Sequence, residues 1–212
     1  MTVIRATDRR AIEVAAAALR RGEVIVLPTE TVYGLACLPT QAALERLLEI
    51  KQRSSDKGIQ LLVDSAAQAA AVVTLSAAAE LLARAFWPGG LTIVAPRNPE
   101  SDLPVVLGGG RPTLGVRLPD HPLPRGLARL LGPLAASSAN VSGFPPATDA
   151  DAVAAALGDQ VELILDDGPV RGGTASTVVD CSTADGRPVV LRAGAIATSA
   201  IFAALGQDYT SA

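Results

Sequence analysis

The chain has 212 residues, 49% of them apolar and 18% charged, with a formal net charge of −3. That length and composition fill one globular domain with a sizeable core and exclude a disordered chain. One Trp, two Tyr and three Phe leave an aliphatic core with no aromatic platform for single-stranded nucleic acid, and the acidic balance gives no global basic field for a polyanion.

The amino terminus carries Arg5, Asp8, Arg9, Arg10 and Glu13 before any apolar run develops, which does not match a secretion signal and points to the cytoplasm. Apolar positions at helical spacing over 11–19, closed by Arg20, Arg21 and Gly22, predict the first helix. A β-branched run over 23–27, stopped by Pro28, predicts a strand; helical spacing returns over 42–50 and runs into the polar turn Ser54-Ser55-Asp56-Lys57-Gly58. Residues 59–63 read as a buried strand. The most hydrophobic stretch, 66–86, is broken by Gln68, Thr74, Ser76, Glu80 and Arg84, so it predicts two helices, 65–73 and 76–86, and no membrane span. After the Trp87-Pro88-Gly89-Gly90 break a strand is expected over 91–95, then a Pro- and Gly-rich loop over 97–112, with Gly108-Gly109-Gly110 its mobile part. Strands over 114–118, 134–136, 163–165, 177–180 and 189–192 alternate with helices over 123–131, 149–157 and 198–205. This interleaving predicts an α/β domain with one large twisted sheet flanked by helices, and the closely spaced last strands predict a mixed sheet. No repeat or linker divides the chain, so 1–212 reads as a single domain.

Two cysteines far apart, Cys37 and Cys181, and the single His121 provide neither a disulfide framework nor a metal cage. His121, between Asp120 and Pro122, is read as a loop histidine without a catalytic role. Polar groups gather instead at strand and helix ends, where α/β folds collect ligands. Thr29, Glu30 and Thr31 follow the first strand; taken alone, such hydroxyls more often bond local backbone. Lys51, Arg53 and Lys57 lie at a helix end, and on a continuing helix Lys51 and Arg53 point to nearly opposite faces, so they converge on one anion only if the helix unwinds there. A solvated cationic cap is the plainer reading. Ser138, Asn140 and Ser142 close an apolar strand with groups suited to a phosphate or ribose, or to a simple turn. No GxSxG elbow supports a serine nucleophile and no Walker loop or GxGxxG is present. Arg117, amid strand residues, needs a partner: a ligand carboxylate or, more usually, a structural Asp or Glu. Arg192 poses the same question.

The segments PTETVYGL, KQRSSDKG, WPGGLT, GVRLPDHP, SSANVSG, STVVD and LRAGAI follow one another in this order. By these motifs the chain, over about 11–196, resembles the YrdC family and its threonylcarbamoyl-AMP synthases. The resemblance implies a YrdC-like fold whose concave basic face binds ATP and L-threonine. It implies a nucleotidyltransferase that joins L-threonine, bicarbonate and ATP into threonylcarbamoyl-AMP and pyrophosphate, for threonylcarbamoylation of adenosine 37 of tRNA. Carried over by position, Thr29, Arg117 and Ser176 would hold L-threonine, Arg117 by its carboxylate. Lys51, Arg53 and Lys57 would face the triphosphate, with Lys51 and Arg53 the catalytic pair; Ser138, Asn140 and Thr148 would contact the nucleotide, and Thr113 and Arg192 would complete that wall. Mg2+ would accompany ATP, without a metal site in the protein, and tRNA and downstream tRNA threonylcarbamoyl transferase proteins would be further partners.

The chain departs from the family pattern at Ser54, Gly90 and Ala193, each in place of a common proline. Ala175 stands where many members have glutamate, and Leu62 where some have histidine; both bear on the lining of the threonine pocket. It resembles the short single-domain form, without the carboxy-terminal domain of longer synthases. The rival expectation is a non-catalytic module for double-stranded RNA, tRNA or ribosome maturation, using the same concave face. The hydroxyl and amide set Thr29, Ser138, Asn140 and Ser176 suits a small polar ligand better than a duplex, which needs a broad cationic track.

Overall fold

The computed structural model describes residues 1–206. Ten strands form one mixed sheet: β1 Thr2–Arg5, β2 Ile25–Leu27, β3 Gly34–Cys37, β4 Gln60–Leu62, β5 Leu91–Pro96, β6 Thr113–Arg117, β7 Leu134–Ser138, β8 Leu163–Asp166, β9 Thr177–Asp180 and β10 Val189–Arg192. Their order is β1-β8-β2-β3-β7-β4-β6-β5-β9-β10. Four parallel pairs (β1 with β8, β8 with β2, β4 with β6, β5 with β9) stand beside five antiparallel ones, as expected of a mixed sheet. Seven helices complete the fold: α1 Ala11–Arg20, α2 Gln41–Lys51, α3 Ala66–Val72, α4 Ala77–Phe86, α5 Pro122–Leu131, α6 Ala150–Leu157 and α7 Thr198–Leu205. None is long and apolar enough to cross a membrane.

Local chemistry sets the helix limits. Thr40, Ser65, Ser76 and Asp149 cap α2, α3, α4 and α6 by accepting a backbone N–H three residues on, which satisfies an otherwise orphaned donor. His121 caps α5 through Nδ1, which accepts from Leu123 N at 3.2 Å. Helix α2 stops because Gln52 takes a left-handed conformation (φ 49°), uncommon for a residue with a side chain.

The strands missed by sequence periodicity are β1 and β3. β1 holds only Val3 and Ile4 between polar neighbours, and it becomes a strand by pairing in parallel with β8. β3, Gly-Leu-Ala-Cys, is too short and small-chained to show a period, yet all four residues are buried between β2 and β7. The described elements run from β1, largely exposed, to α7, whose Ile201 and Leu205 are buried.

Alternation along the strands divides the side chains between two faces. One face packs Val26, Leu35, Leu61, Ile93, Val116 and Ile164 with residues of α2, α3, α4, α6 and α7. The other packs Ile25, Leu27, Ala36, Leu62, Leu134 and Leu165 against Ala15, Ala16 and Leu19 of α1 and Leu123 and Leu127 of α5. These two helices lie over β8, β2, β3, β7 and β4, with Ile4 of β1 packed at the margin of the same cluster. Beyond them, the same face of β6, β5, β9 and β10 has no helix over it among the described residues.

Candidate active site

A cavity of about 250 Å³ opens on that helix-free half, walled by β4, β5, β6, β7, β9 and β10 and by the loop after β5. Strand alternation builds it. On β6, Leu114 and Val116 enter the core while Thr113, Gly115 and Arg117 face the cavity; on β5, Leu91 and Ile93 are core while Thr92 and Val94 face it. Gly115 keeps the floor low: a Cβ there would come within 3.3 Å of the Thr92 methyl.

Four arginines meet in this cavity: Arg53, Arg111, Arg117 and Arg192. Arg117 is buried on three protein acceptors: Nη2 donates to Glu30 Oε1 and to Thr31 Oγ1, both at 2.8 Å, and Nε to Gly89 O at 3.1 Å. The structural carboxylate that sequence reasoning weighed for Arg117 is thus present, as Glu30. Arg53 donates from Nη1 to Ser137 Oγ (3.2 Å) and from Nη2 to Gly58 O (2.9 Å). Arg192 donates to Ser176 O (2.7 Å from Nη2) and to Ser176 Oγ (3.2 Å). Burial lowers the pKa of both Arg53 and Arg192, and for Arg192 the charges of Arg53 and Arg117 add to the effect. The cations therefore repel one another across a partly dry space, which an anion would relieve. From Arg192 a chain of hydroxyls crosses the floor: Ser176 Oγ lies 2.8 Å from Thr92 Oγ1, which donates to Gln60 Oε1 at 2.7 Å.

Of the residues singled out from sequence, Arg53, Thr113, Arg117, Ser138, Ser176 and Arg192 line this cavity. The others stand elsewhere. Lys51 is buried against the Ser138–Asn140 turn, its Nζ donating to Ser138 O (2.5 Å), Asn140 O (2.9 Å) and Asn140 Oδ1 (3.2 Å), with Oγ of the cavity-lining Ser138 at 3.5 Å. The left-handed Gln52 ends the helix between Lys51 and Arg53, and both reach the end of β7, Lys51 at Ser138 and Arg53 at Ser137 Oγ, close enough for the two charges to act on each other. Burial, with repulsion from Arg53, brings the Lys51 pKa down to about 8. Lys57 is exposed on the following turn and reaches no cavity wall. Asn140 and Thr148 line a second, apolar pocket of about 400 Å³ with Val141, Phe144, Pro145 and Pro146. There the Asn140 amide donates to Val141 O and Phe144 O at 2.9 and 2.7 Å and orders the loop. Thr29 is buried behind the wall, where its hydroxyl donates to Val32 O at 2.7 Å and sits 2.9 Å from Thr31 Oγ1.

The expected mobile loop is packed. Leu107 and Gly108 are buried, Leu107 O accepts from Ile59 N at 2.8 Å, and Gly109 (φ +63°) presses on Asp56 so closely that a Cβ would lie 2.3 Å from its carbonyl. Arg111 donates to Asp56 O at 3.1 Å, which ties the loop down as a cavity wall. His121 is a cap, with Nε2 3.0 Å from Asp167 Oδ2. Leu62 is core and does not line the cavity, whereas Ala175 does. Gly90 suits its place, since a Cβ would meet that of Ala195 at 2.8 Å. Sequence reasoning missed Gln60, Thr92, Arg111 and Ser137 as lining residues, and Glu30 and Thr31 as partners of Arg117. Gln60 and Thr92 were legible as polar members of alternating strands; Arg111 carried no such signal.

The Sua5/YciO/YrdC family model, described as "Telomere recombination", matches residues 17–194. The chain belongs to that family. A family relative from Mycobacterium tuberculosis (strain H37Rv) is 40% identical over 204 residues, covering 95% of this chain and 92% of its own. The threonylcarbamoyl-AMP synthase of Bacillus subtilis (strain 168) is 40% identical over 203 residues, covering 94% of this chain and 58% of its own. Among solved structures, Pyrococcus abyssi Sua5 complexed with L-threonine superposes with a TM-score of 0.90 at 36% identity, over 98% of this chain and 62% of that one. The chain thus spans about three-fifths of these two longer family members and nearly all of the mycobacterial one.

Proposed function

We propose that this chain is a threonylcarbamoyl-AMP synthase, a cytoplasmic nucleotidyltransferase that takes L-threonine, bicarbonate and ATP. The observation that carries the reading is the convergence of Arg53, Arg111, Arg117 and Arg192 above a floor of hydroxyls, in one bounded cavity of a fold shared with a threonine-bound Sua5. A reaction of three anion-bearing substrates needs such a place.

The amino acid takes the Arg117 and Ser176 end, its carboxylate on Arg117 Nη1, which bonds no described residue. Thr29 acts there through the turn it anchors, since Thr31 receives Arg117. The triphosphate takes the end formed by Arg53, Arg192 and Thr113, with exposed Lys57 adding charge only at long range through solvent. The apolar pocket beside Asn140 and Thr148 suits the adenine, and the Ser138–Asn140 turn that Lys51 holds separates base from phosphates. The threonine amine and bicarbonate condense to a carbamate and water; a carbamate oxygen then attacks the α-phosphorus as pyrophosphate leaves in line. No covalent enzyme intermediate is required.

The donor set fits a metal carried on the substrate: the cavity wall has no carboxylate, and no group of three or more His, Cys, Asp or Glu among the described residues could hold an ion. Mg2+ bound by the phosphate oxygens would supply further charge neutralisation there. The labile product would pass to tRNA through downstream transferase proteins.

Pyrophosphate release from ATP with Mg2+ and bicarbonate, comparing L-threonine with L-serine, L-valine and no amino acid, tests the reading. Release that needs both L-threonine and bicarbonate is expected. ATP binding without release for any amino acid would overturn it in favour of another adenylate chemistry. No ATP binding, with RNA binding that falls steeply with salt, would replace it with the non-catalytic RNA module.

A further inference from the structure

The four cavity arginines are not electrostatically alike. Arg53 bonds a hydroxyl and a carbonyl, Arg111 a carbonyl, and Arg192 a carbonyl and a hydroxyl. Each keeps its full charge at close range, with Asp56 acting on Arg53 and Arg111 only from a greater distance. Arg117 alone of the four is in contact with a carboxylate, Glu30 Oε1 at 2.8 Å. Glu30 reaches it from the turn after β2, and its other oxygen, Oε2, is buried without a hydrogen-bond partner. That oxygen is costly to leave bare. Glu30 thus makes one charged contact, with Arg117, and leaves its second oxygen without a hydrogen-bond partner. Its effect is to divide the cavity into an end with three unneutralised cations and an end where cation and anion cancel.

We propose that Glu30, acting through Arg117, is the residue that makes one end of the cavity accept a zwitterionic amino acid and refuse a polyanion. It is a positioning and specificity-determining residue. A triphosphate placed at the Arg117 end would meet a cation already offset by Glu30, which stands behind Arg117 and outside the cavity wall, so its charge would gain little there and would still feel the Glu30 carboxylate through a partly desolvated space. An amino acid with no net charge meets no such penalty and still finds Nη1, which the bonds from Nε and Nη2 hold in a fixed plane. The same pair thus orients the carboxylate and keeps ATP in a single register. This inference rests on the synthase reading above.

The test is steady-state kinetics of pyrophosphate release by wild type, Glu30→Gln and Glu30→Asp, with thermal melting of each. Glu30→Gln keeps an oxygen that accepts from Arg117 and removes only the charge. We expect ATP and inorganic tripolyphosphate to become competitive with L-threonine at the now fully cationic Arg117, so that the threonine KM read at saturating ATP rises by about tenfold or more while the KM for ATP changes less than about twofold. Glu30→Asp, which retains the charge, should suppress that competition. An unchanged threonine KM, or equal rises for both substrates, would overturn the proposal. If Glu30→Gln does not fold, wild type decides: tripolyphosphate should compete with ATP but not with L-threonine, and competition with L-threonine would overturn it. A wild type without threonine-dependent release defeats the synthase reading itself, a result distinct from an active wild type with an indifferent Glu30→Gln.

Discussion

The two halves of one sheet face make an instructive pair. Under α1 and α5 the inward positions are Ile25, Leu27, Ala36, Leu62 and Leu134, and the space above them is filled by Leu19, Leu123 and Leu127. From the start of β4 onward the same face presents Gln60, Thr92, Thr113, Gly115, Arg117 and Ser176 to a cavity. Backbone geometry is shared, and the strands are continuous in hydrogen bonding across the boundary. What differs is whether a helix arrives to remove the face from water. Apolar side chains stabilise the first half by burial; polar ones in the second hold one another and leave capacity for a ligand.

Substitutions can break this contrast. The largest effect belongs to the covered half: Leu127→Ala, at a fully buried position of α5, should destabilise by about 2–5 kcal/mol, read as a shift in urea midpoint with little change in the KM of the remaining folded enzyme. In the open half the order reverses. Arg53→Ala should raise the KM for ATP roughly tenfold to hundredfold, and Arg117→Ala should do so for L-threonine, as expected for a charged hydrogen-bonding group. Initial rates with each substrate varied in turn check both, and unchanged kinetics for the pair would remove the site assignment.

Lys51 sharpens the boundary between the halves, because its effect should follow pH. Its pKa of about 8 lies below the ordinary 10.5, so the folded protein releases this proton first. Between these values the unfolded chain binds the extra proton, and the stability contributed by Lys51 rises with pH across the window. The neutral amine nevertheless has two N–H groups for four acceptor atoms. The KM for ATP should therefore climb roughly two- to tenfold as pH passes 8 while stability does not fall, and Lys51→Arg should flatten that rise. The smallest effect is expected at exposed Lys57: Lys57→Ala should change the ATP KM by about twofold or less, and added salt should erase the difference.

Much of the fold was legible because amphipathic periods are local. The strands at 177–180 and 189–192 and the helix at 198–205 stand where the sequence placed them. β1 and β3 were not legible, since four residues with one or two apolar side chains gain strand character only from the neighbours they pair with. At the site, Arg53, Arg117, Ser138, Ser176 and Arg192 could be picked out as polar groups at element ends. Lys51 and Arg53 could not be told apart, as both belong to one KxR run. That both side chains reach the end of β7, with only Arg53 lining the cavity, depends on a single left-handed residue, Gln52, which nothing in its side chain announces.

The sequence by itself determined the mixed α/β class, most element positions, the family, and an inventory of arginines and hydroxyls. Each of these follows from local periodicity or from motif order. Only the tertiary structure decided that α1 and α5 stop at β4, that Glu30 neutralises Arg117, that Lys51 braces a turn, and that the glycine loop is a packed wall. These depend on distances between segments far apart in the chain, which no local pattern encodes.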